Sequence, residues 1–174
     1  MPPQYHSHCI DCPFEHAAHL DDQWRICSTP LRMEDNDASV LLIFQAPGEI
    51  EWGKGRPVIS QKRGSAGVRL ERAFKNAGRV RTDYNITNTV QCFPGKRANG
   101  RDAAPSTAVR QHCANWLRQD IEARTYKSIV VFGRCAEKSV RALGYSGDPR
   151  FRFVKHPAGG ISNEDLAKAV SYTK

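Results

Sequence analysis

The chain has 174 residues, of which 40% are apolar and 25% are charged, which is typical of a globular protein with one packed core. No apolar run approaches the roughly 20 residues of a membrane-spanning helix, and "MPPQYHSHCIDCP" at the N-terminus lacks the pattern of a secretion signal. We therefore expect a cytoplasmic, intracellular protein that does not act on a membrane. The net charge of +8 favours a polyanionic partner, and nucleic acid is the commonest one.

Residues 1–38 show no sustained period and predict an irregular N-terminal segment. The run "SVLLIF" (39–44) is continuously apolar, which is typical of a strand buried in a parallel sheet. Ser65 is placed to cap a helix over "AGVRLERAFKNAG", and Gly78 is placed to end it. The β-branched stretch "DYNITNTV" (83–90) predicts the second strand.

A polar, basic loop (91–105) precedes "STAVRQHCANWLRQDIEAR", whose apolar residues recur at the spacing of one long helix. Further along, "KSIVVFG" (127–133) predicts a strand, "RCAEKSVRALG" a short helix, "RFRFVKHP" the last strand and "NEDLAKAVSYT" the last helix. This alternation predicts a single α/β domain over residues 1–174, a three-layer α/β/α fold with a four-stranded, mostly parallel central sheet.

Ligands of such sheets gather at the carboxyl ends of the strands. Three polar segments are expected there, namely "QAPGEIE" after the first strand, "TN" after the second and "HPAGG" after the last. The sequence therefore predicts one ligand site built from these three strand exits.

Six cysteines are many for an intracellular chain of this size, and disulfides are rare in a reducing compartment. Cys9 and Cys12 form a C-x-x-C pair, Cys92 follows a strand exit, and Cys113 lies in the next predicted helix. Four cysteines in this arrangement suit either a zinc ion or a [4Fe–4S] cluster.

Other interpretations of the cysteines stay open. A local site of Cys9, Cys12, His16 and His19 is one of them, although its intervals are shorter than those of a standard zinc finger. Cys27 and Cys135 are interpreted as small buried residues, with Cys27 as the first substitute if another ligand is assigned wrongly.

The segments "QAPGEIEWGKGRPV", "SAGVRL", "YNITNTVQC", "KSIVVFG" and "KHP" occur in an order that resembles the uracil-DNA glycosylase superfamily, most like its family 4, the iron–sulfur type. The resemblance runs from Cys9 to Pro157. It implies hydrolysis of the N-glycosidic bond of a flipped-out uracil in DNA, as in base-excision repair. It also implies a structural [4Fe–4S] cluster on Cys9, Cys12, Cys92 and Cys113, with zinc as the alternative, and a monomer acting on single- or double-stranded DNA.

The same resemblance assigns roles to individual residues. Glu51 would serve the attacking water or the sugar cation, and His156 would donate a hydrogen bond to the leaving base. The backbone amides of Gln45 and Ala46 would face the carbonyl edge of the base, and Asn88 would read that edge. Contacts to the DNA backbone or minor groove would come from Pro47, Gly48, Ser65, Gly159, Gly160 and Ile161, with Ile161 as a wedge.

Two departures from the family pattern bear on the substrate. Phe44 and Gln45 replace a glycine–glutamate pair, which removes one carboxylate. Val58 replaces a phenylalanine that the family stacks on the base, where stacking contributes about 1–3 kcal/mol, and it frees volume in the base-binding pocket. A modified or bulky pyrimidine, such as a 5-substituted or glucosylated cytosine, therefore stays open as the substrate, in repair or in defence.

A non-catalytic, metal-stabilised nucleic-acid-binding module is the alternative from another functional class. A related branch links covalently to DNA through a histidine in an arginine-rich insert. The loop "GKRANGRD" is basic and similarly placed but contains no histidine, so covalent chemistry is not predicted.

Overall fold

The computed structural model describes Cys12, residues 30–59, Gln61 and residues 63–171. In this part of the chain no helix is long and apolar enough to cross a membrane. The regular elements of the described residues are β1 (Val40–Phe44), α1 (Glu49–Lys54), α2 (Ala66–Asn76), β2 (Asn85–Asn88), α3 (Thr107–His112), α4 (Ala114–Glu122), β3 (Ser128–Phe132), α5 (Arg134–Ala142), β4 (Phe151–Val154) and α6 (Asn163–Val170).

The four strands form one parallel sheet in the order β2-β1-β3-β4. β1, the first of these strands in the chain, is central and pairs with β2 on one side and β3 on the other. In this register Phe44 lies opposite Asn88, so the carboxyl ends of β1 and β2 are level. The predicted four-stranded sheet is confirmed, and all of its described strand pairs are parallel.

Alternate residues of β1 face opposite sides of the sheet, because successive side chains of a strand point in opposite directions. Val40, Leu42 and Phe44 belong to a first apolar cluster that includes residues of α2 and α6. Leu41 and Ile43 belong to a second cluster that includes residues of α4 and α5. Helices therefore cover both faces of the sheet, and the predicted three-layer arrangement is confirmed.

The helix boundaries agree with the sequence in one place and differ in two. Ser65 caps α2 as predicted, because its hydroxyl oxygen accepts from the Val68 amide at 3.4 Å. The single long helix predicted after residue 106 is divided at Cys113 into α3 and α4. The two helices pack in different apolar clusters. Val109 of α3 packs with Cys113, whereas Leu117 of α4 belongs to the second cluster, against the sheet. The short helix α1 has no counterpart among the predicted elements.

Candidate active site

A cavity of about 690 Å³ opens at the carboxyl edge of the sheet. Its walls come from the exit of β1, the start of α2, the loop of residues 96–103 and the exit of β4. Seven of the predicted site residues line it, namely Gln45, Ala46, Pro47, Gly48, Glu51, Ser65 and His156. The structure thus brings together two of the three strand exits that the sequence pointed to, and Asn88 at the third pairs with Phe44 at the end of β1.

Glu51 lies in the first turn of α1, where the helix dipole favours a negative charge. Burial raises the pKa of its carboxyl group, and the nearby charge of Asp102 adds to the rise. Hydrogen bonds to its own backbone, to the Gln61 side chain and to the Ile59 backbone act in the opposite direction. The net result is a carboxylate that takes up a proton more readily than an exposed glutamate does.

Gly48, which precedes α1, leaves room for two carboxylates. A Cβ at this position would lie 2.6 Å from Oε2 of Glu51 and 2.8 Å from Oδ2 of Asp102. Glycine here lets the two carboxylate ends lie close to the backbone, and its backbone angles are ordinary extended ones. The Asp102 loop also bears an ion pair to α1, between Lys96 and Glu49, with Nζ and Oε2 2.6 Å apart.

His156 follows β4 and lies in a largely apolar setting. Burial lowers the pKa of its imidazole, so the ring is neutral at pH 7. The Ala158 amide donates to Nδ1 at 3.2 Å, and a neutral imidazole carries one proton, so this hydrogen bond assigns the proton to Nε2. The ring stands edge-on to Phe44, which itself stacks on Phe132 with centroids 4.6 Å apart. His156 is thus a neutral imidazole that can donate from Nε2–H, and its ring packs against the stacked pair of Phe44 and Phe132.

Several contacts fix the His156 loop. Gly133 has φ of +88°, and a Cβ there would lie 3.1 Å from Cβ of His156. A Cβ on Gly159 would lie 3.3 Å from the His156 carbonyl oxygen. Arg69 of α2 donates to the carbonyl oxygens of Pro157 and Ile161. At the exit of β4, His156 therefore lies close to the backbone of Gly133 and Gly159, and Arg69 binds the carbonyl oxygens that follow it.

Asn88 ends β2 and is 1% exposed. Its side-chain Nδ2 and Oδ1 are both buried, and neither has a hydrogen-bond partner among the described residues. Its backbone carbonyl accepts from Nε2 of Gln91 at 2.9 Å, which holds the strand exit in place. A buried polar group without a partner costs about 1–3 kcal/mol. Such groups call for an explanation, and a ligand that satisfies them is one.

Besides Asn88, two predicted site residues, both apolar, lie in the core instead of lining the 690 Å³ cavity. Val58 has φ of +46° and is 7% exposed, with its side chain in the first apolar cluster. Arg81 holds its carbonyl oxygen at 2.9 Å and is itself paired with Glu34, which also binds Arg56. Ile161 is likewise 7% exposed and in the same cluster, and Arg69 of α2 donates to its carbonyl oxygen. This placement leaves Ile161 no exposed wedge position.

The two glycines of the "HPAGG" segment take different places. Gly159 lines a neighbouring cavity of about 490 Å³ together with Gly133 and His156. Gly160 is exposed and has φ of +81°, a conformation that few other residues adopt without strain.

Of the predicted metal ligands, Cys12 and Cys113 are buried and Cys92 is half-buried. Cys113 packs with Val90 and Val109, and Ala46 of the cavity packs against the same cluster. Any group bound at Cys113 would therefore brace the backbone that lines the cavity.

The complete set of metal ligands lies partly outside the described residues. Cys9, Cys27 and the N-terminal histidines, including His16 and His19, belong to the part of the chain that the structure does not describe. Within the described ranges, no group of three or more His, Cys, Asp or Glu side chains is arranged to hold a metal ion. Thiolates remain the donors that an iron–sulfur cluster requires, and the four-cysteine site stays a prediction.

The sequence analysis missed a set of residues around the cavity. Asp102 carried one signal, as the lone acidic residue in the basic loop "GKRANGRD". Arg69 carried none, because a polar residue of an amphipathic helix is ordinarily solvated. The other cavity-lining residues not singled out include Gln61, Arg63, Lys96 and Arg101.

The fold and these side chains define an α/β protein with its site at the strand ends of a parallel sheet. A family model described as the uracil DNA glycosylase superfamily matches residues 32–172. This match covers most of the chain, and the chain belongs to the uracil-DNA glycosylase superfamily.

Curated relatives agree with this family. A type-4 uracil-DNA glycosylase of Sulfurisphaera tokodaii is 34% identical over 104 residues, which are 59% of this chain and 43% of the relative. Type-4 uracil-DNA glycosylases of Thermotoga maritima and Saccharolobus solfataricus are 31% and 32% identical over 58% and 64% of this chain, and 47% and 48% of their own lengths. The matched region is thus less than half the length of each relative.

Proposed function

We propose that the chain is a DNA glycosylase that hydrolyses the N-glycosidic bond of a base flipped out of DNA, and that uracil is the base. The observation that carries the proposal is the presence of Glu51 and His156 on one cavity at the strand ends. The names of the three type-4 relatives support uracil as the substrate.

In this reaction positive charge develops on the sugar and negative charge on the departing base. Glu51 takes a proton from water as the water oxygen bonds to C1′ of the sugar, and the electron pair of the C1′–N bond leaves with the base. Its raised proton affinity suits this role of general base. His156 donates from Nε2–H to a carbonyl oxygen of the base, and a fixed donor at a developing oxyanion is among the larger catalytic effects.

Asn88 is proposed to read the base. A side-chain amide offers one donor and one acceptor, which match O4 and N3–H of uracil, and cytosine presents the reverse pattern. Both amide atoms are covered and lack partners among the described residues. A base therefore reaches Asn88 only after a local rearrangement at the strand exits, which is consistent with entry of a flipped-out nucleotide.

DNA is the proposed partner, and the rim of the cavity supports this. Arg63, Lys96 and Arg101 are exposed around the opening and supply positive charge for phosphates. The Ser65 hydroxyl accepts from an amide at the start of α2 and retains its own proton for donation. We further propose that the chain acts inside the cell, where its substrate lies, and as a monomer.

A structural [4Fe–4S] cluster on Cys9, Cys12, Cys92 and Cys113 is proposed as the cofactor. Cys113 is buried in an apolar cluster against which Ala46 of the cavity packs. This contact supports a structural role for the iron–sulfur cluster, in which it braces the cavity wall and takes no part in the chemistry. Zinc in the same place is the alternative, and anaerobic metal analysis distinguishes the two.

A bulkier, modified pyrimidine is the second candidate substrate. The observation that favours it is the burial of Val58 in the core, which leaves the cavity without the stacking ring that the family places at this position. A 5-substituted or glucosylated cytosine would then occupy the free volume.

The test is base release from labelled oligonucleotides, each single- and double-stranded, containing uracil, hypoxanthine, mismatched thymine, 5-hydroxymethylcytosine or glucosylated cytosine. Abasic sites with uracil alone support the first proposal, and abasic sites with a bulky base alone support the second. The variant His156→Ala is expected to abolish release and to keep DNA affinity. If the wild type binds DNA but releases no base from any member of the panel, the chain is a non-catalytic binding module.

A further inference from the structure

Asp102 is the second carboxylate of the 690 Å³ cavity. The family position where one carboxylate was expected carries Gln45, and the structure brings a different acid to the same cavity from a loop more than 50 positions later. Oε2 of Glu51 and Oδ2 of Asp102 converge on the space above Gly48, within 2.6 and 2.8 Å of the point where a Cβ would lie.

The loop that bears Asp102 has a defined structure. Lys96 and Asp102 form an antiparallel bridge, and the Ala103 amide donates to the Gly95 carbonyl oxygen at 2.8 Å. Nζ of Lys96 lies 2.6 Å from Oε2 of Glu49 and 4.0 Å from Oδ1 of Asp102. Lys96 therefore faces the carboxylates of Glu49 and Asp102, and its positive charge partly offsets the negative charge of Asp102.

We propose that Asp102 is a positioning residue for the proposed hydrolysis, acting through Glu51 by keeping that carboxylate a strong proton acceptor over the cavity. The inference rests on the proposed function for its role in base release, whereas the interaction of the two carboxylates does not. Like charges at close range make the uptake of a proton favourable. Glu51 gains that proton from the attacking water.

Other groups around Glu51 set the background. The charged or titratable residues that line this cavity with it are Glu49, Arg63, Lys96, Arg101, Asp102 and His156. Lys96 opposes the effect of Asp102, and neutral His156 adds no charge at pH 7. Changing Asp102 or Lys96 therefore alters the field at Glu51 in opposite directions.

The first measurement is a carboxyl-carbon NMR titration of the ¹³C-glutamate-labelled protein, with Glu51→Gln used to assign the Glu51 signal. Asp102→Asn is expected to move the titration of Glu51 to lower pH, and Lys96→Met is expected to move it to higher pH. If the substitutions merely loosened the loop, the titration of Glu51 would shift in the same direction in both variants. Glu71→Gln, an equal change of charge on the exposed surface of α2, serves as the matched control and is expected to leave the titration in place.

The second measurement is the pH profile of base release. Asp102→Asn is expected to shift the acidic limb to lower pH and to lower the rate about tenfold at pH 8, with the melting temperature kept. A Glu51 titration that is unchanged in Asp102→Asn, or that moves in the same direction in both variants, overturns the inference. The titration needs no turnover, so its outcome is separate from that of the oligonucleotide panel, which decides the proposed function.

Discussion

The substitution Asn88→Leu is expected to stabilise the free protein and to abolish its activity. Asn88 is 1% exposed and has two side-chain atoms without partners among the described residues. Each such atom costs about 1–3 kcal/mol, and leucine of similar volume removes both. We expect a gain of about 2–6 kcal/mol in the free energy of unfolding. At about 2–4 °C per kcal/mol for a chain of this size, the melting temperature should rise by roughly 4–24 °C.

Base release by Asn88→Leu should fall by at least about 100-fold, because a site built to hydrogen-bond its substrate loses much of its rate when that pairing is removed. Calorimetry and the oligonucleotide assay measure the two effects on the same preparation. Asn85→Leu in the same strand is the matched control, since the Asn85 amide bonds to Asn36, Ala38, Asp35 and Tyr126 and its loss should destabilise the protein. A destabilised Asn88→Leu with normal base release would refute the reasoning.

Three further predictions concern the support of the site. Gly133→Ala should cost about 1–3 kcal/mol, since φ of +88° with ψ of 158° is essentially restricted to glycine, and Gly144→Ala should cost about 1–2 kcal/mol at φ of +95°. Only Gly133→Ala should slow base release, by crowding the histidine. Neighbouring arginines more than offset the burial of Glu34 and lower its pKa from 4.5 to about 2, so its stabilisation is complete above pH 4.5 and lost toward pH 2. Glu34→Gln should therefore lower the melting temperature at pH 7 and flatten its fall between those pH values. Cys92→Ser should lose bound iron, and Cys135→Ser should keep it.

Different results would contradict each of these expectations. Equal base release by the two glycine variants would remove the proposed role of the Gly133 contact. An unchanged acid profile in Glu34→Gln would show that its ion pairs add nothing to stability. Stoichiometric zinc in the anaerobically prepared native protein would replace the iron–sulfur assignment.

The sheet was predictable because its signal is local. Strands buried on both faces read as unbroken apolar runs, and "SVLLIF" and "KSIVVFG" are such runs. The cap at Ser65 is equally local. Helix α1 escaped prediction because it has six residues, including Gly53, and is too short to show a helical period. The division at Cys113 escaped because it depends on which cluster each half of the helix meets.

The site was predictable only where sequence neighbours determine it. Glu51 and His156 line the cavity in the segments that follow β1 and β4, and the resemblance to the superfamily is what singled them out. Asp102 reaches the cavity on a loop that is closed by the Lys96–Asp102 bridge, and no local pattern encodes that closure. The burial of Val58 depends on a positive φ that β-branched residues rarely adopt, so its sequence position alone indicated the wrong neighbourhood.

The burial of Val58 and Ile161 has a consequence for how the site can diversify. The loops at the strand ends stand largely apart from the two apolar clusters, so each of them can change its length or composition without repacking the sheet. These two residues are different, because they belong to the first cluster and also to the segments that carry the proposed chemistry. A substitution deep in the core, for example at Leu70, would therefore be transmitted to the loops at these two points. Changes in the free loops are expected to leave the sheet intact, whereas core substitutions that reach these two anchors are expected to reduce activity.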